Sequence, residues 1–201
     1  MSPKVPPKVQ AVDLIYTLPP AVENIRGRWM TTLQSAGAVS GFLSAVEAQL
    51  LVFYKVASNF NTATGRVEGS QSPTQDACLI LTYVALIASV SGTMSSMLLV
   101  DEFAVVSARA ARAGPVMEEK DTHAGRFVGN DWQVLAAFGF RRSASRLVTI
   151  HLIVSLTLTC ICTIAAAATY AGTQEATLTR IIVSITAGLS VLPLVFFVLF
   201  R

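Results

Sequence analysis

Charge is what this chain has least of. Asp, Glu, Lys and Arg together make up 13% of its 201 residues, about half the share found in an ordinary soluble globular chain. That scarcity excludes a soluble domain with a fully solvated surface. It also excludes a nucleic-acid binder, because the net charge is only +3 and the basic groups are scattered rather than gathered on one folded face. Cysteine is nearly absent as well. Cys78, Cys160 and Cys162 lie within or at the edge of apolar stretches, so no secreted disulfide framework is expected. Cys160 and Cys162 point about 200° apart around a helix, which disfavours a shared metal site. His123 and His151 have no companions at ligand spacing, so neither a metal nor another cofactor is expected. No Walker loop, HExxH or GxSxG occurs, and no Ser/His or paired-Asp arrangement is evident inside an apolar stretch. No catalytic residue is assigned, and the chain reads as a non-enzyme.

What the sequence does have is apolar residues, 53% of the total, gathered into four runs at about 34–57, 77–100, 147–171 and 180–200. A hydrocarbon core of roughly 30 Å takes about 20 helical residues, and backbone in lipid must satisfy its own hydrogen bonds. The runs do not alternate polar with apolar residues as barrel strands would. The pattern predicts an all-α polytopic membrane protein, a bundle of four transmembrane helices, whose first partner is the lipid bilayer. Residues 1–28 hold Pro3, Pro6, Pro7, Pro19 and Pro20 and read as a flexible cytoplasmic segment without regular helix or cleavable signal. The membrane domain then covers 29–201, with Trp29 as an interfacial anchor.

Orientation follows from the basic residues. Lys4, Lys8, Arg26 and Arg28 precede the first run, and Arg109, Arg112, Lys120, Arg126, Arg141, Arg142 and Arg146 lie between the second and third. The positive-inside rule places both regions in the cytoplasm, and four crossings return Arg201 there, so both termini are cytoplasmic. Gly114 and Pro115 interrupt this connection. Residues 101–113 extend the second helix, and 132–145 reads either as an amphipathic segment at the headgroups or as a solvated loop. Asp101 and Glu102 are expected to be solvated or paired with Arg109.

Around the first run, Ala36, Gly37, Ser40, Gly41, Ser44, Ala45, Glu47 and Ala48 share one half of the helix, and Val39, Phe42, Leu43, Val46, Leu50 and Phe53 the other. Gly37 and Gly41 have the spacing that lets backbones approach closely in lipid. In the second run Ala85, Ser89, Gly92 and Ser96 make a similar face. In the fourth, Ser184 and Gly188 share a side and Pro193 kinks the helix. Glu47 is the ionisable group at depth, and such a group is costly enough to need a partner, a watery cavity or a task. Three readings stay open. Glu47, with Ser40 and Ser44, is a hydrogen-bonded packing group, an element of an ion pathway, or a contact for a basic partner. His151, one turn inside the third run, is expected to make interfacial hydrogen bonds.

Ser40-Gly41-Phe42 followed by Val46-Glu47-Ala48-Gln49-Leu50 resembles the first transmembrane helix of Orai-type calcium channels. The four-run layout, Pro193 and, more loosely, 95–107 are similar too. The resemblance implies a homo-oligomer in which first helices surround a pore and Glu47 is the carboxylate that binds a cation, a role physically suited to a carboxylate ring. Trp29 at the inner interface would place Glu47 about 27 Å outward at 1.5 Å per residue. The sequence differs from the family in having two fewer residues between Gly41 and Glu47, and in lacking after the fourth run the helix on which the family's activating partner docks. Two functions are therefore carried forward. One is a non-enzymatic four-span protein of assembly, membrane organisation or partner binding; the other is an oligomeric cation channel with Glu47 in the pore.

Overall fold

The computed structural model describes residues 17–60, 72–113, 122–123, 126–127 and 130–199. The fold is all-helical apart from one short backbone ladder. Helix α1 covers Pro20–Lys55 and is followed by a single 3-10 turn at Ala57–Asn59; α2 covers Pro73–Ala104 and α3 Val106–Ala113. Two-residue strands β1, Thr122–His123, and β2, Arg126–Phe127, pair antiparallel. Then come α4 at Asp131–Ala137, α5 at Arg142–Gln174 and α6 at Thr177–Leu199. Among the described residues, three helical stretches each contain a run long and apolar enough to cross a bilayer, within Pro20–Lys55, Pro73–Arg112 and Arg142–Gln174.

The helix starts follow from local chemistry, and one of them corrects the sequence reading. Pro20 opens α1 at the first helical position, where the missing N–H is an orphan anyway, and Val22 and Glu23 donate back to Pro19 O. The tract 20–28 is therefore helix, not a proline-broken coil. At α2, Ser72 accepts from Gln75 N at 3.1 Å and Pro73 again takes the first helical position. The step from α2 to α3 is one residue wide. Val105 N still reaches Asp101 O, and Arg109 N reaches Val105 O, so the extension expected over 101–113 is present. The segment 132–145 is neither a single amphipathic helix nor a plain loop. Asn130 and Gln133 form a reciprocal capping box that starts α4. The helix ends at Phe138, with Gly139 at φ +90° as its left-handed terminator. A Cβ at Gly139 would lie 3.1 Å from Arg109 Cβ.

The chain divides into two compact units, one of Met1–Ser35 with Met97–Thr149 and one of Ala36–Ser96 with Ile150–Arg201. In the first, Trp29, Phe103, Trp132 and Phe140 form an aromatic group with ring centroids 4.7–6.3 Å apart. Leu99, Val106, Ala110, Leu135 and Phe138 are buried there. Trp29 thus packs within the protein, and its Nε1 is buried with no hydrogen-bond partner among the described residues. In the second unit, Tyr54, Phe60, Cys78 and Ala166 form a core cluster that Leu50, Leu79, Leu81 and Tyr170 flank. Phe42, Ile87, Met94 and Ile185 are among the large apolar side chains left uncovered, as lipid-facing surface would be.

Candidate functional site

Within the second unit, α1, α2 and α5 meet along a seam of small and hydroxyl-bearing residues. Backbone approach is closest where glycine faces serine. A Cβ at Gly37 would lie 2.6 Å from Ser96 Oγ, and one at Gly92 would lie 2.8 Å from Ser40 Oγ, so a larger side chain at either position requires the serine hydroxyl to turn away or the helices to shift. Ser40 Oγ donates to Ser89 O at 2.7 Å, and Ser44 Oγ meets Ser89 Oγ at 2.8 Å. Pairing 37 with 96, 40 with 92 and 44 with 89 sets α1 antiparallel to α2. On the other side, Thr159 Oγ1 approaches Ala85 O at 3.3 Å and Ser155 packs beside Gly92.

Glu47 lies in this seam, fully buried, as is Ser40. Its Oε1 is hydrogen-bonded to Thr163 Oγ1 on α5. Its Oε2 has no partner among the described residues. Thr163 Oγ1 also donates to Thr159 O at 2.8 Å. The sequence places no Lys, Arg or His in 36–54, 77–96 or 152–174, so these stretches of the three helices hold no counter-ion for Glu47.

Of the residues singled out from the sequence, Glu47, Ser40, Ser44, Gly37, Ser89, Gly92 and Ser96 all come together in the seam. Gly41 belongs to it only loosely, since a Cβ there would sit 4.0 Å from Thr93 Oγ1. Ala45 and Ala48 are exposed, so the buried stripe is narrower than the half-cylinder drawn from the sequence. It recurs every seven residues, two helical turns, through Ser40, Glu47 and Tyr54. Ser184 and Gly188 do not pack: both are exposed, and nothing lies within 4 Å of a Cβ at Gly188. Among the described residues, the seam is formed by α1, α2 and α5 alone. Pro193 falls where α6 is helical, but side chains beyond residue 190 lie outside the described set, as does any kink they cause.

The residues that sequence reasoning missed are on α5. Ser155, Thr159 and Thr163 recur every four positions and supply the hydroxyls that face α1 and α2, a stripe readable in the third apolar run. His151 begins it. Its Nδ1 lies 2.8 Å from Ser95 Oγ and its Nε2 3.3 Å from Ser91 Oγ. The hydrogen bonding expected of His151 is present, and the absence of a Ser/His pair read from the sequence is corrected, because residues more than fifty positions apart are brought together by helix packing. Ser95 spends its one hydroxyl proton on Ser91 O at 2.9 Å. It therefore accepts from Nδ1–H, which leaves Nε2 to accept from Ser91.

The first unit holds a second glutamate in a different setting. Both Arg109 terminal nitrogens donate to the Glu102 carboxylate, and Arg141 N adds a bond at 3.3 Å. Arg109 also reaches Gly139 O. Glu102 lies beyond the apolar run that ends at Val100. The Arg109 guanidinium, aided by Arg141 N–H, holds its carboxyl below the usual carboxylate range against the opposing pull of burial. Arg28 pairs with Asp131, and Arg26 with Glu23. No cluster of three metal-ligating side chains occurs among the described residues. Comparison with protein families, with curated proteins and with solved structures finds no match to this chain.

Proposed function

We propose that this chain is a non-enzymatic integral membrane protein whose role is assembly, with α6 as its fourth crossing and as its contact for a second copy. The basic connection between α2 and α5 lies on the cytoplasmic side. The observation that carries the reading is the contrast between α6 and the other three long helices. Those three spend their small faces on one another, whereas Ser184 and Gly188, four residues apart, stay uncovered on a helix that presents Leu178, Ile181, Ile182, Ile185 and Leu189 to its surroundings. In lipid, a small-xxx-small face is the surface on which helices associate closely. The His151 group fits a structural role, since its ring ties α5 to both Ser91 and Ser95 of α2.

The test is the oligomeric mass in lipid nanodiscs and the yield of cross-links between copies. The wild type should associate, and Ser184→Leu with Gly188→Leu should reduce it to a monomer with its fold intact. A monomeric wild type would overturn the assembly reading. The channel reading retains the support of the Ser40-Gly41-Phe42 and Val46-to-Leu50 motifs. Against it, Glu47 faces Thr163 within one chain, and the uncovered side of α1 carries Phe42 and Val52. Divalent-selective flux lost in Glu47→Gln vesicles would reverse this preference.

A further inference from the structure

We propose that Glu47 is a proton-binding site: its carboxyl holds a proton in the folded protein and donates it to Thr163 Oγ1. The inference follows from counting protons in the seam. Thr163 has one hydroxyl proton and two acceptors in reach, Glu47 Oε1 and Thr159 O. A threonine hydroxyl on a helix is well placed to return its proton to the carbonyl four residues back, as Thr159, Thr157 and Thr149 do elsewhere on α5. If Thr163 does the same, the bond to Glu47 needs its proton from the carboxyl, which supplies one only when protonated. The chain of donation then runs from Glu47 Oε1–H to Thr163 Oγ1–H to Thr159 O, with every proton used once.

The rest of the surroundings point the same way. Oε2 is buried without a donor among the described residues, which a neutral carbonyl oxygen tolerates far better than half of a carboxylate. The titratable groups within electrostatic reach of Glu47 are Cys162 on α5 and Tyr54 on α1, and Cys78 of α2 is in turn within reach of Tyr54. All three are neutral or anionic when they titrate, so none offers a positive charge to hold Glu47 ionised. Ionisation would force Thr163 to abandon Thr159 O and would leave Oε2 charged and dry. This proton-binding property is separate from how copies associate.

Infrared spectroscopy of the protein in nanodiscs tests this directly. At neutral pH the wild type should show the C=O stretch of a protonated carboxylic acid, and Glu47→Gln should lose it. Thr163→Val should keep the band but move it to higher frequency, because the hydroxyl that accepts from the acid is gone. Isotope labelling of the glutamate carboxyl carbons should shift the wild-type band, and together with the Thr163→Val displacement, which singles out Glu47, this keeps the test decisive should the Gln variant fail to fold. Absence of the band at neutral pH, its persistence in a folded Glu47→Gln, or its insensitivity to glutamate labelling would overturn the assignment. An unmoved band in Thr163→Val would overturn the donation to Thr163.

Discussion

Each of the two units encloses a glutamate, and they treat it in opposite ways. Glu102 faces a guanidinium and a backbone N–H, so its charge is met by groups that strengthen as the carboxylate forms. Glu47 faces one hydroxyl, two cysteines and a tyrosine in the vicinity, and no cation. The first arrangement suits a group near water, where an ion pair can form without full desolvation. The second suits the apolar interior, where an unpaired charge costs several kcal/mol. The difference extends to the scaffolds. One unit is held by aromatic rings and ion pairs around a glycine-terminated helix, the other by serine, threonine and glycine at close backbone contact.

The largest effect should come from closing the space on which the hydroxyl seam depends. Gly92→Leu places a side chain where Ser40 Oγ lies 2.8 Å and Ser155 Cβ 3.7 Å from the first added carbon. Overpacking of this kind costs about 1–3 kcal/mol, occasionally more, so the variant should unfold at markedly lower temperature in detergent. Gly41→Ala is the control, since its Cβ has 4.0 Å of room and should leave thermal unfolding almost unchanged. Equal losses in the two variants would mean that the glycines matter for something other than the approach of α1 to α2.

The corresponding cut in the aromatic unit is Gly139→Ala. A positive φ costs an L-residue about 1–2 kcal/mol, and the new methyl would also press on Arg109 Cβ. Both tryptophans of the chain, Trp29 and Trp132, sit in this unit, so their emission reports on it selectively. Gly139→Ala should alter the emission and its thermal transition while leaving the isotope-sensitive glutamate band in place. Next in size, Ser40→Ala removes the bond to Ser89 O. Interhelical hydrogen bonds in membranes average about 0.6 kcal/mol and reach about 1.7. This variant should therefore cost less than Gly92→Leu and leave tryptophan emission unaltered; a larger loss than that of Gly92→Leu would invert the account of what holds the seam.

How much of this was legible in the sequence depends on whether a feature is local. The runs that became α1, α2 and α5 and the small faces on α1 and α2 are periodic properties of single segments, and they were readable. Proline content alone hides the helix at 20–28, because Pro20 at the first turn favours the helix that prolines elsewhere would break. The partners of Glu47 and His151 were not readable as pairs, because Thr163 lies 116 residues from Glu47 and Ser95 lies 56 from His151. The hydroxyl stripe Ser155, Thr159 and Thr163 did carry a signal. The Ser184 and Gly188 face looked the same in the sequence as the Ser89 and Gly92 face, yet only the latter is filled within the chain. Small residues at helical spacing indicate a surface fit for close approach and do not say which helix will use it.

The smallest effect, and the one that most sharply separates the two units, is the response to acid and salt. The Glu102 carboxyl is held below its usual range by Arg109 and Arg141. A group lowered on folding stabilises the folded state above its unfolded value and loses that contribution as the pH falls through the folded one. The thermal transition seen by tryptophan emission should therefore fall on acidification below the ordinary carboxylate range. The pair is partly exposed, with 19% and 29% side-chain exposure for Glu102 and Arg109, so solvent screening keeps the contribution to about 0.2–1 kcal/mol. High salt should reduce it further by screening. Glu102→Gln should abolish both responses at little cost near neutral pH, because Arg109 retains Gly139 O as an acceptor. The hydroxyl seam contains no ion pair to screen, so added salt should leave its unfolding where it was. Equal salt sensitivity in both units would mean that charge, not close packing of hydroxyls and glycines, holds the second one together.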